Sequence, residues 1–390
     1  MSAPVATPEV GERNLPQQDL AQLETPCLLI DIDRLERNCE RMLARARTLG
    51  VSLRPHLKTA KSAEVARRAT GGSRRITVST LKEADYFAGL GYADIVCATA
   101  IVPGKFAHAA RVAQACDLIL VTDAVAVVQA AACFAEAHDC SFSFLVEIDC
   151  GEHRSGLPAA DALVVALARA IDATPRLRFR GILTHAGHSY GTNDPADVAR
   201  IAAIERDAAV TAATRIRDAG VACDIISVGS TPTVLHAEHL RGVTEARAGI
   251  YMLWDLAQLS RDMCREDEIA VSVLASVIGH NRQGRALILD AGALALSKDI
   301  GANKYLPGAG YGYVCDAQSL RRLGTLAVDV VHQEHGTVTV DDESWFERLP
   351  VGSLVRILPN HACLTCAGYE AYQVVRGTAV VDRWTRINGW

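Results

Sequence analysis

Apolar and polar positions follow two alternating patterns from residue 51 onward. Short runs rich in valine and isoleucine alternate with longer segments of alanine, leucine and arginine, whose apolar positions recur with the helical period. The short runs predict eight strands, at residues 51–57, 75–79, 94–99, 117–122, 142–149, 179–185, 224–229 and 243–249. The longer segments predict helices at residues 62–69, 81–90, 106–115, 124–138, 160–172 and 196–220.

This alternation of strands and helices restricts the fold to two architectures. Eight strands joined through helices are what a closed parallel barrel requires. An open doubly wound sheet is the alternative, but no G-x-G-x-x-G motif follows the first strand, which weakens that alternative. The sequence therefore predicts an α/β fold class built on a (β/α)8 TIM-type barrel.

The pattern changes at about residue 270, where the long helical segments stop. Short apolar runs joined by polar turns follow, which is typical of an all-β domain. These runs lie at residues 268–279, 285–292, 325–333, 336–342, 353–359 and 372–381. The early strand 27–33 is a candidate partner for this sheet. We expect a flexible, proline-containing arm at 1–22, the barrel at 23–268 and the β domain at 269–390.

Composition and charge exclude several functional classes. The chain has 390 residues, is 49% hydrophobic and carries a formal net charge of -5. Acidic and basic residues are interspersed, so we expect neither a nucleic-acid partner nor a membrane surface. No apolar run approaches the ~18 residues that span a bilayer. The N-terminus lacks the features of a signal peptide, and the 12 cysteines, mostly scattered singly, suggest reduced thiols in a cytoplasmic protein.

Candidate functional residues lie where the predicted barrel strands end. Barrels of this kind carry their chemistry at the carboxyl ends of the strands and often bind phosphate after strands seven and eight. The candidates are Lys58, Arg154, His185, Tyr190, Gly229, Ser230, Thr231, Arg247, Gly249 and Ile250. Each alone fits a structural role, but together they describe a cradle for a phosphate-bearing cofactor beside a lysine. Pyridoxal 5'-phosphate, whose aldehyde bonds to a lysine, is the candidate cofactor.

Four of these stretches, RPHLKTAKS, LTHAGHSYG, VGSTPT and ARAGI, resemble motifs of the alanine-racemase-like, fold-type III pyridoxal-phosphate enzymes. The resemblance extends from about residue 24 to 390 and is greatest for the D-serine dehydratase and D-threonine aldolase branch. It implies that Lys58 is bonded to the cofactor, that His185 lies against the cofactor ring, and that Arg154 and Arg247 face its phenolic oxygen and pyridine nitrogen. It further implies that the phosphate is held by Gly229, Ser230, Thr231, Gly249 and Ile250.

A second motif, LPNHACLTCAG at residues 358–368, contains candidate metal ligands. His361 and Cys363 are two positions apart, so on an extended stretch their side chains point to the same side. The family branch uses such an H-x-C or H-x-D pair as metal ligands, although an isolated pair is also compatible with a metal-free core. Imidazole and thiolate favour Zn²⁺ over Mn²⁺ or Mg²⁺ and leave positions open for substrate. We expect Cys366, which completes a C-x-x-C, to be neither a third ligand nor a redox partner.

The resemblance implies a dehydratase that converts a D-β-hydroxy amino acid to a 2-oxo acid and ammonia. Lys58 would take the α-proton, and the metal would help the β-hydroxyl to leave. D-Serine, D-threonine and D-threo-3-hydroxyaspartate are the candidate substrates, and the chain is most similar to members that act on the last. Its second carboxylate needs a cationic partner, for which Arg154, Lys298 and Lys304 are available.

Three other functions would use some of the same residues. An aldolase would cleave the Cα–Cβ bond instead, but aldolases of the branch usually carry H-x-D. A racemase uses no metal, and non-catalytic proteins that bind pyridoxal phosphate lack the C-terminal β domain. Enzymes of this fold usually work as homodimers, so we expect a homodimer here.

Overall fold

The computed structural model describes residues 18–390 of the chain, which divide into two compact units. The barrel unit comprises residues 40–58, 66–249 and 389–390. The β unit comprises the described residues up to 39, residues 59–65 and residues 250–388. Both units are therefore assembled from segments that are distant in the sequence.

The barrel unit is a ring of eight parallel strands, as the sequence predicts. Seven neighbouring pairs are hydrogen-bonded ladders, and a parallel bridge between His56 and Thr77 joins the first and second strands. A ninth strand, Leu157–Pro158, adds to the fifth strand of the ring. In chain order the eight strands of the ring are Ser52–Leu53, Arg75–Val78, Asp94–Ala100, Asp117–Thr122, Phe142–Asp149, Leu177–Thr184, Ile225–Val228 and Glu245–Ala246.

The helices between these strands also follow the prediction. The predicted ones are observed at Ala63–Thr70, Leu81–Gly89, Phe106–Val112, Val125–Ala137, Ala162–Asp172 and Pro195–Asp218. Several begin at a side chain that accepts a backbone N–H bond, such as Thr80, Asp161 and Asp194, because such caps satisfy the first free donors of a helix. Two further helices, Ile32–Thr48 and Thr231–His236, are not among the predicted ones.

The barrel strands share an apolar cluster and a buried ion network. The cluster consists of Val96, Ile119, Val121, Leu145, Leu183 and Ile225. The network is centred on Arg54, whose side chain is fully buried and lies 2.9 Å from Glu245 and 2.6 Å from Asp94. Because a buried charge is tolerated only when it is paired and hydrogen-bonded, this network fixes the positions of the first, third and eighth strands.

The β unit is built on an 11-stranded sheet. The early strand Cys27–Asp31 belongs to it, pairing antiparallel with Val271–Asn281 and parallel with Ala371–Arg376, as the sequence suggests. Its other strands are Gln18–Asp19, Ala286–Leu289, Gly312–Asp316, Arg322–Ala327, Val330–Val331, Gly336–Thr339, Leu354–Pro359 and Ala379–Thr385. Its short α-helices from residue 250 onward are Leu256–Leu259, Ala293–Leu296, Trp345–Arg348 and Ala362–Ala367.

The end of the predicted flexible arm is ordered. Gln18–Asp19 pairs with Ala379–Thr385, and a 3-10 helix follows at Leu20–Gln22. Leu20 is buried in a cluster with Leu29 and Leu274, so burial of this one leucine fixes residues that the sequence pattern assigns to the arm. Residues 1–17 of the arm lie outside the described residues. Among residues 18–390, no helix combines the length and hydropathy needed to cross a bilayer.

Candidate functional site

Lys58 lies at the end of the first barrel segment, close to several of the other predicted cofactor-binding residues. Its side chain is exposed, and its backbone N–H donates to Nδ1 of His56 at 3.4 Å. Burial lowers the pKa of His56 well below its usual value, and the positive charges of Lys58 and Arg247 lower it further. The structure therefore brings a primary amine, a guanidinium and two imidazoles, those of His56 and His185, to one part of the barrel unit.

His185 follows the sixth strand and is held as a neutral ring. Its Nδ1 lies 2.8 Å from the carbonyl oxygen of Gly229, and because a carbonyl can only accept, Nδ1 carries the hydrogen. Burial lowers the pKa of His185 to about 3, the bond to Gly229 opposes this shift, and the charges of Lys58, Arg247 and Arg154 add to it. Near neutral pH, Nε2 therefore presents a lone pair.

This depressed pKa predicts a contribution of His185 to the pH dependence of stability. Above the unfolded-state pKa of 6.5 the effect is absent, because neither state binds the proton. Between pH 6.5 and about 3 only the unfolded state binds the proton. As the pH is lowered through this range, the free energy of unfolding therefore falls by about 1.4 kcal/mol per pH unit. His185→Gln retains a donor for Gly229 and is expected to reduce this slope by the equivalent of up to one bound proton. Urea unfolding at several pH values measures the slope for both proteins. Identical slopes for the two proteins would contradict the assignment.

Arg247 is buried between the ends of two barrel strands. Its Nη1 donates to Ser227 Oγ at 2.6 Å and its Nη2 donates to the carbonyl oxygen of Thr184. Burial lowers the pKa of Arg247, and this is opposed by nearby carboxylates, of which Glu205 contributes most. The guanidinium is therefore held rigidly next to the backbone that leads into His185.

The predicted phosphate loop requires glycine at two positions. Gly229 has φ +142°, and a Cβ there would lie 2.0 Å from the carbonyl oxygen of Arg247. A Cβ on Gly249 would lie 2.6 Å from the carbonyl oxygen of His56. Both positions bring two backbone segments closer than any side chain permits. They explain why small residues follow the seventh and eighth strands.

Hydroxyl and N–H groups converge in the same loop. The N–H of Thr231 donates to the hydroxyl of Tyr190 at 3.3 Å, and Thr231 Oγ1 accepts from the N–H of Gly249 at 3.3 Å. Ser230 Oγ lies 2.8 Å from Ser189 Oγ, and Ile250, which follows Gly249, is buried. A loop of small residues and polar donors is suited to an anion. With the amine of Lys58 and the neutral ring of His185, the donor set fits a phosphate-bearing aldehyde.

Arg154, like Lys58, is an exposed member of the predicted cofactor-binding residues. Its side chain is 57% exposed, and its Nη1 lies 3.5 Å from Glu152. Its charge nevertheless contributes to the lowered pKa of His185. Arg154 is therefore near the cationic cluster without being fixed in it.

The metal motif differs from its predicted conformation. His361 itself is extended, but a helix begins directly after it at Ala362–Ala367, so the prediction of an extended stretch through Cys363 is wrong. The reason is the buried carboxylate of Asp255, which accepts the N–H of Ala362 at 2.9 Å and satisfies a donor at the start of the helix. Cys363 is still close enough to His361 to be the largest influence that raises the pKa of that imidazole.

The surroundings of His361 and Cys363 suit a bound cation. Nδ1 of His361 lies 2.6 Å from Asp299 Oδ2, and Cys363 Sγ lies 2.9 Å from Thr59 Oγ1. Burial acts to lower the pKa of His361, but the nearby Cys363, Asp255 and Asp299 outweigh it, raising the pKa to about 10. Within residues 18–390 no group of three or more His, Cys, Asp or Glu side chains is arranged to hold a metal. Imidazole and thiolate are ligand types that Zn²⁺ takes in proteins, so the chemistry of the pair fits a zinc ion.

Cys366 lies on the same helix but in a different environment. It is buried, and burial raises the pKa of its thiol to about 11. Cys363, in contrast, is half-buried. A buried thiol that resists ionisation is a poor metal ligand, and that Cys366 does not bind the metal stays a prediction.

Asp299 is expected to support metal binding by orienting His361. An acidic partner on one ring nitrogen fixes the imidazole and raises its basicity as a ligand through the other. Asp299→Ala is expected to weaken zinc binding by about 10–100-fold, with a smaller loss for Asp299→Asn, which keeps an acceptor without the charge. Competition with a zinc chelator measures both. Zinc affinity equal to that of the unaltered protein in both variants would exclude this role.

Several residues of these sites are absent from the sequence-based prediction, and four of them carry charges or contacts at their centre. Glu205 and Asp255 are fully buried carboxylates, whereas Asp299 and Thr59 contact the metal motif from distant segments. Only Thr59 had an available signal, because it lies inside the RPHLKTAKS motif. The others lie in ordinary helix or loop sequence, and long-range pairing alone reveals them.

Two protein families match successive parts of the chain. The family described as alanine racemase, N-terminal domain, matches residues 30–256. The family described as putative serine dehydratase domain matches residues 270–375. Together they account for most of the chain.

Curated relatives align over nearly the whole chain. D-threo-3-hydroxyaspartate dehydratase of Delftia sp. (strain HT23) is 42% identical over 382 residues, which is 96% of this chain and 100% of the relative. D-serine dehydratase of Dictyostelium discoideum is 31% identical, over 92% of this chain and 94% of the relative.

Solved structures give the same result. D-threo-3-hydroxyaspartate dehydratase from Delftia sp. HT23 superimposes with a TM-score of 0.93 at 41% identity, over 96% of this chain and 100% of that chain. A variant of such a dehydratase with one cysteine replaced by alanine, solved in a metal-free form, superimposes equally well, with a TM-score of 0.93. Alanine racemase from Clostridium difficile 630 has a TM-score of 0.68 at 14% identity, over 93% of this chain and 98% of that chain, which shows a shared fold.

Proposed function

The chain belongs to the alanine-racemase-like, fold-type III pyridoxal-phosphate family, in its D-serine dehydratase branch, and we propose that it is a metal-dependent D-β-hydroxy amino acid dehydratase. The two dehydratases described above, and a D-threonine aldolase of Arthrobacter sp. that is 30% identical to the chain, are lyases, and this chain is a lyase of the same family. The proposed products are a 2-oxo acid and ammonia. The observation that carries the choice of dehydration is the pairing of an imidazole with a thiol at His361 and Cys363.

In this proposal Lys58 holds the cofactor and acts as the base. Its primary amine would hold the cofactor, and the free amine would take the proton from the substrate's α-carbon. Bound pyridoxal phosphate supplies the electron sink that makes this proton acidic. His185 stays neutral, since its pKa of about 3 lies far below the working pH. It contributes a flat ring held in one orientation by Gly229.

The remaining predicted residues hold the cofactor in this orientation. Gly229, Ser230, Thr231, Gly249 and Ile250 are proposed to form the loop that holds its phosphate, in which groups of Thr231 and Gly249 converge. Tyr190 supports this loop through its hydroxyl. Arg154 and Arg247 are proposed to face the phenolic oxygen and the pyridine nitrogen. Binding through many fixed groups keeps the α-proton within reach of Lys58.

His361 and Cys363 are the proposed metal ligands, with Zn²⁺ as the metal that their chemistry favours over Mn²⁺ or Mg²⁺. The metal supplies Lewis-acid chemistry for the departure of the β-hydroxyl. Asp299 fixes the ring of His361 at 2.6 Å. Thr59 is 2.9 Å from Cys363 Sγ and limits the rotation of that side chain. Cys366, buried on the same helix, is proposed to take no part.

D-threo-3-hydroxyaspartate is the proposed preferred substrate, with D-serine and D-threonine as alternatives. The support is the 42% identity to a D-threo-3-hydroxyaspartate dehydratase. Its second carboxylate requires a cation, and the exposed side chains of Arg154, Lys298 and Lys304 are the candidates. As for other enzymes of this fold, a homodimer is proposed as the working assembly.

A substrate panel tests the proposal. The protein, loaded with pyridoxal phosphate and zinc, is incubated separately with the three D-amino acids, and 2-oxo acid and ammonia are assayed. We expect both products in equal amounts from each active substrate, the highest kcat/KM for D-threo-3-hydroxyaspartate, and loss of activity after treatment with EDTA. Equal rates with and without metal would contradict the proposed role of His361 and Cys363. A higher kcat/KM for D-serine would assign that substrate instead.

A further inference from the structure

Glu205 is a buried carboxylate in the middle of the long helix Pro195–Asp218. Only 1% of its surface is exposed, whereas its neighbour Asp207 is exposed. Removing a carboxylate from water costs several kcal/mol unless hydrogen bonds or opposite charges compensate for it. The position therefore needs an explanation in what this side chain contacts.

The carboxylate of Glu205 accepts three hydrogen bonds from other segments of the barrel unit. Oε1 accepts from Thr184 Oγ1 at 2.9 Å and from the N–H of Gly229 at 2.8 Å. Oε2 accepts from Thr233 Oγ1 at 2.8 Å. The nearby charge of Arg247 is attracted to it, since Glu205 is the largest influence that raises the pKa of that guanidinium. All the contacts point to the same end of the barrel.

The three donors enclose the residues proposed to bind the cofactor. Gly229 and Thr233 lie on either side of the Ser230–Thr231 loop, and Thr233 Oγ1 also accepts the N–H of Ser230 at 3.1 Å. Thr184 immediately precedes His185, whose ring is bonded to the carbonyl oxygen of Gly229. One carboxylate thus fixes the backbone on both sides of the phosphate loop.

We infer that Glu205 is a positioning residue for the cofactor phosphate, an inference that rests on the proposed function. A carboxylate only accepts hydrogen bonds, so it draws the Gly229 N–H and the Thr233 hydroxyl hydrogen towards itself and away from the ligand. Neither of these two groups is then available to the phosphate, which meets the Ser230–Thr231 loop between them in a fixed position. Because charge-assisted bonds are stronger than neutral ones, the loop is already ordered before the cofactor binds. Such preorganisation increases affinity by reducing the entropy lost on binding.

The test separates the phosphate from the rest of the cofactor. Pyridoxal has the same ring and aldehyde as pyridoxal phosphate but no phosphate, and both produce a visible absorption band on bonding to a lysine. Dissociation constants for both compounds are measured by titrating the cofactor-free full chain. The dissociation constant of pyridoxal divided by that of pyridoxal phosphate isolates the contribution of the phosphate loop. A loss of the fold weakens the binding of both compounds equally and leaves this ratio unchanged.

For Glu205→Ala we expect the ratio to fall by about tenfold or more, since hydrogen bonds to a charged group are lost. The pyridoxal constant itself should change by less than about threefold, which is under 1 kcal/mol. Glu205→Gln keeps a carbonyl acceptor for Gly229, so its ratio should fall by less than that of Glu205→Ala. It replaces the alanine variant in the test if that variant does not fold. Circular dichroism and thermal unfolding establish whether each variant is folded.

Glu245→Gln is the matched control. Glu245 is equally buried in the same unit, but its partners are Arg54 and Ser227 rather than the phosphate loop. This control should leave the ratio unchanged. A folded Glu205 variant with an unchanged ratio, or an equal fall in the control, overturns the inference while leaving the proposed function intact. Failure of the unaltered protein to bind either compound overturns the proposed function instead.

Discussion

Replacing Lys58 by alanine is expected to abolish 2-oxo acid formation, lowering kcat by about 1,000-fold or more. The amine is assigned two tasks, bonding to the cofactor and removing the α-proton, and loss of a general base alone typically costs 10²–10⁴-fold. Turnover of D-threo-3-hydroxyaspartate at saturating cofactor measures the effect. Borohydride reduction followed by peptide mapping should place the cofactor on the peptide containing Lys58 in the unaltered protein and on no peptide in the variant.

Lys105→Ala is the control for this experiment. Lys105 is an exposed lysine of the same unit and has no assigned role, so its replacement should leave turnover and cofactor attachment unchanged. Retention of even a tenth of the activity in Lys58→Ala would show that another residue is the base. Attachment of the cofactor to a different lysine would contradict the assignment of the whole cradle.

Replacing Cys363 by alanine is expected to lower both zinc content and turnover, with turnover falling on the order of 10³-fold, since Lewis-acid stabilisation by a metal contributes several kcal/mol. With one of two protein ligands gone, His361 alone cannot retain the ion at ordinary zinc concentrations. Metal analysis after gel filtration and turnover with added zinc measure the two effects. A high zinc concentration should restore part of the lost activity.

Cys366→Ala provides the matched comparison, because Cys366 lies on the same helix but is fully buried. It should retain zinc and activity, with at most a modest loss of stability from the missing sulfur. If Cys366→Ala instead loses the metal and Cys363→Ala keeps it, the ligand assignment is reversed. If neither variant changes turnover, the metal has no part in the reaction.

The barrel could be predicted from the sequence because its strands are encoded locally. Buried parallel strands are continuous apolar runs, and two of them, Asp117–Thr122 and Phe142–Asp149, match the predicted limits. The first and eighth strands are shorter than predicted. Pro55, which has no N–H, follows the first, and a residue without this donor cannot continue a regular ladder.

The candidate site is less accessible to sequence reasoning, because its contacts join distant segments. Glu205 stands beside Arg206 and Asp207, and in such a run a glutamate is usually part of a solvated helix face. Its burial follows from how the helix packs on the strands. The helix after His361 depends in the same way on Asp255, which is far away in the sequence. The residue types at the site could therefore be predicted, but the residues that position them could not.

The central claim is that the chain eliminates the β-hydroxyl of its substrate, and products from D-threonine test it most directly. The protein supplied with pyridoxal phosphate and zinc is incubated with D-threonine alone, and all nitrogen- and carbon-containing products are quantified. The proposed function predicts 2-oxobutanoate and ammonia in equal amounts, with no glycine. Glycine and acetaldehyde in place of these products would contradict it and identify an aldolase with an imidazole–thiolate metal site.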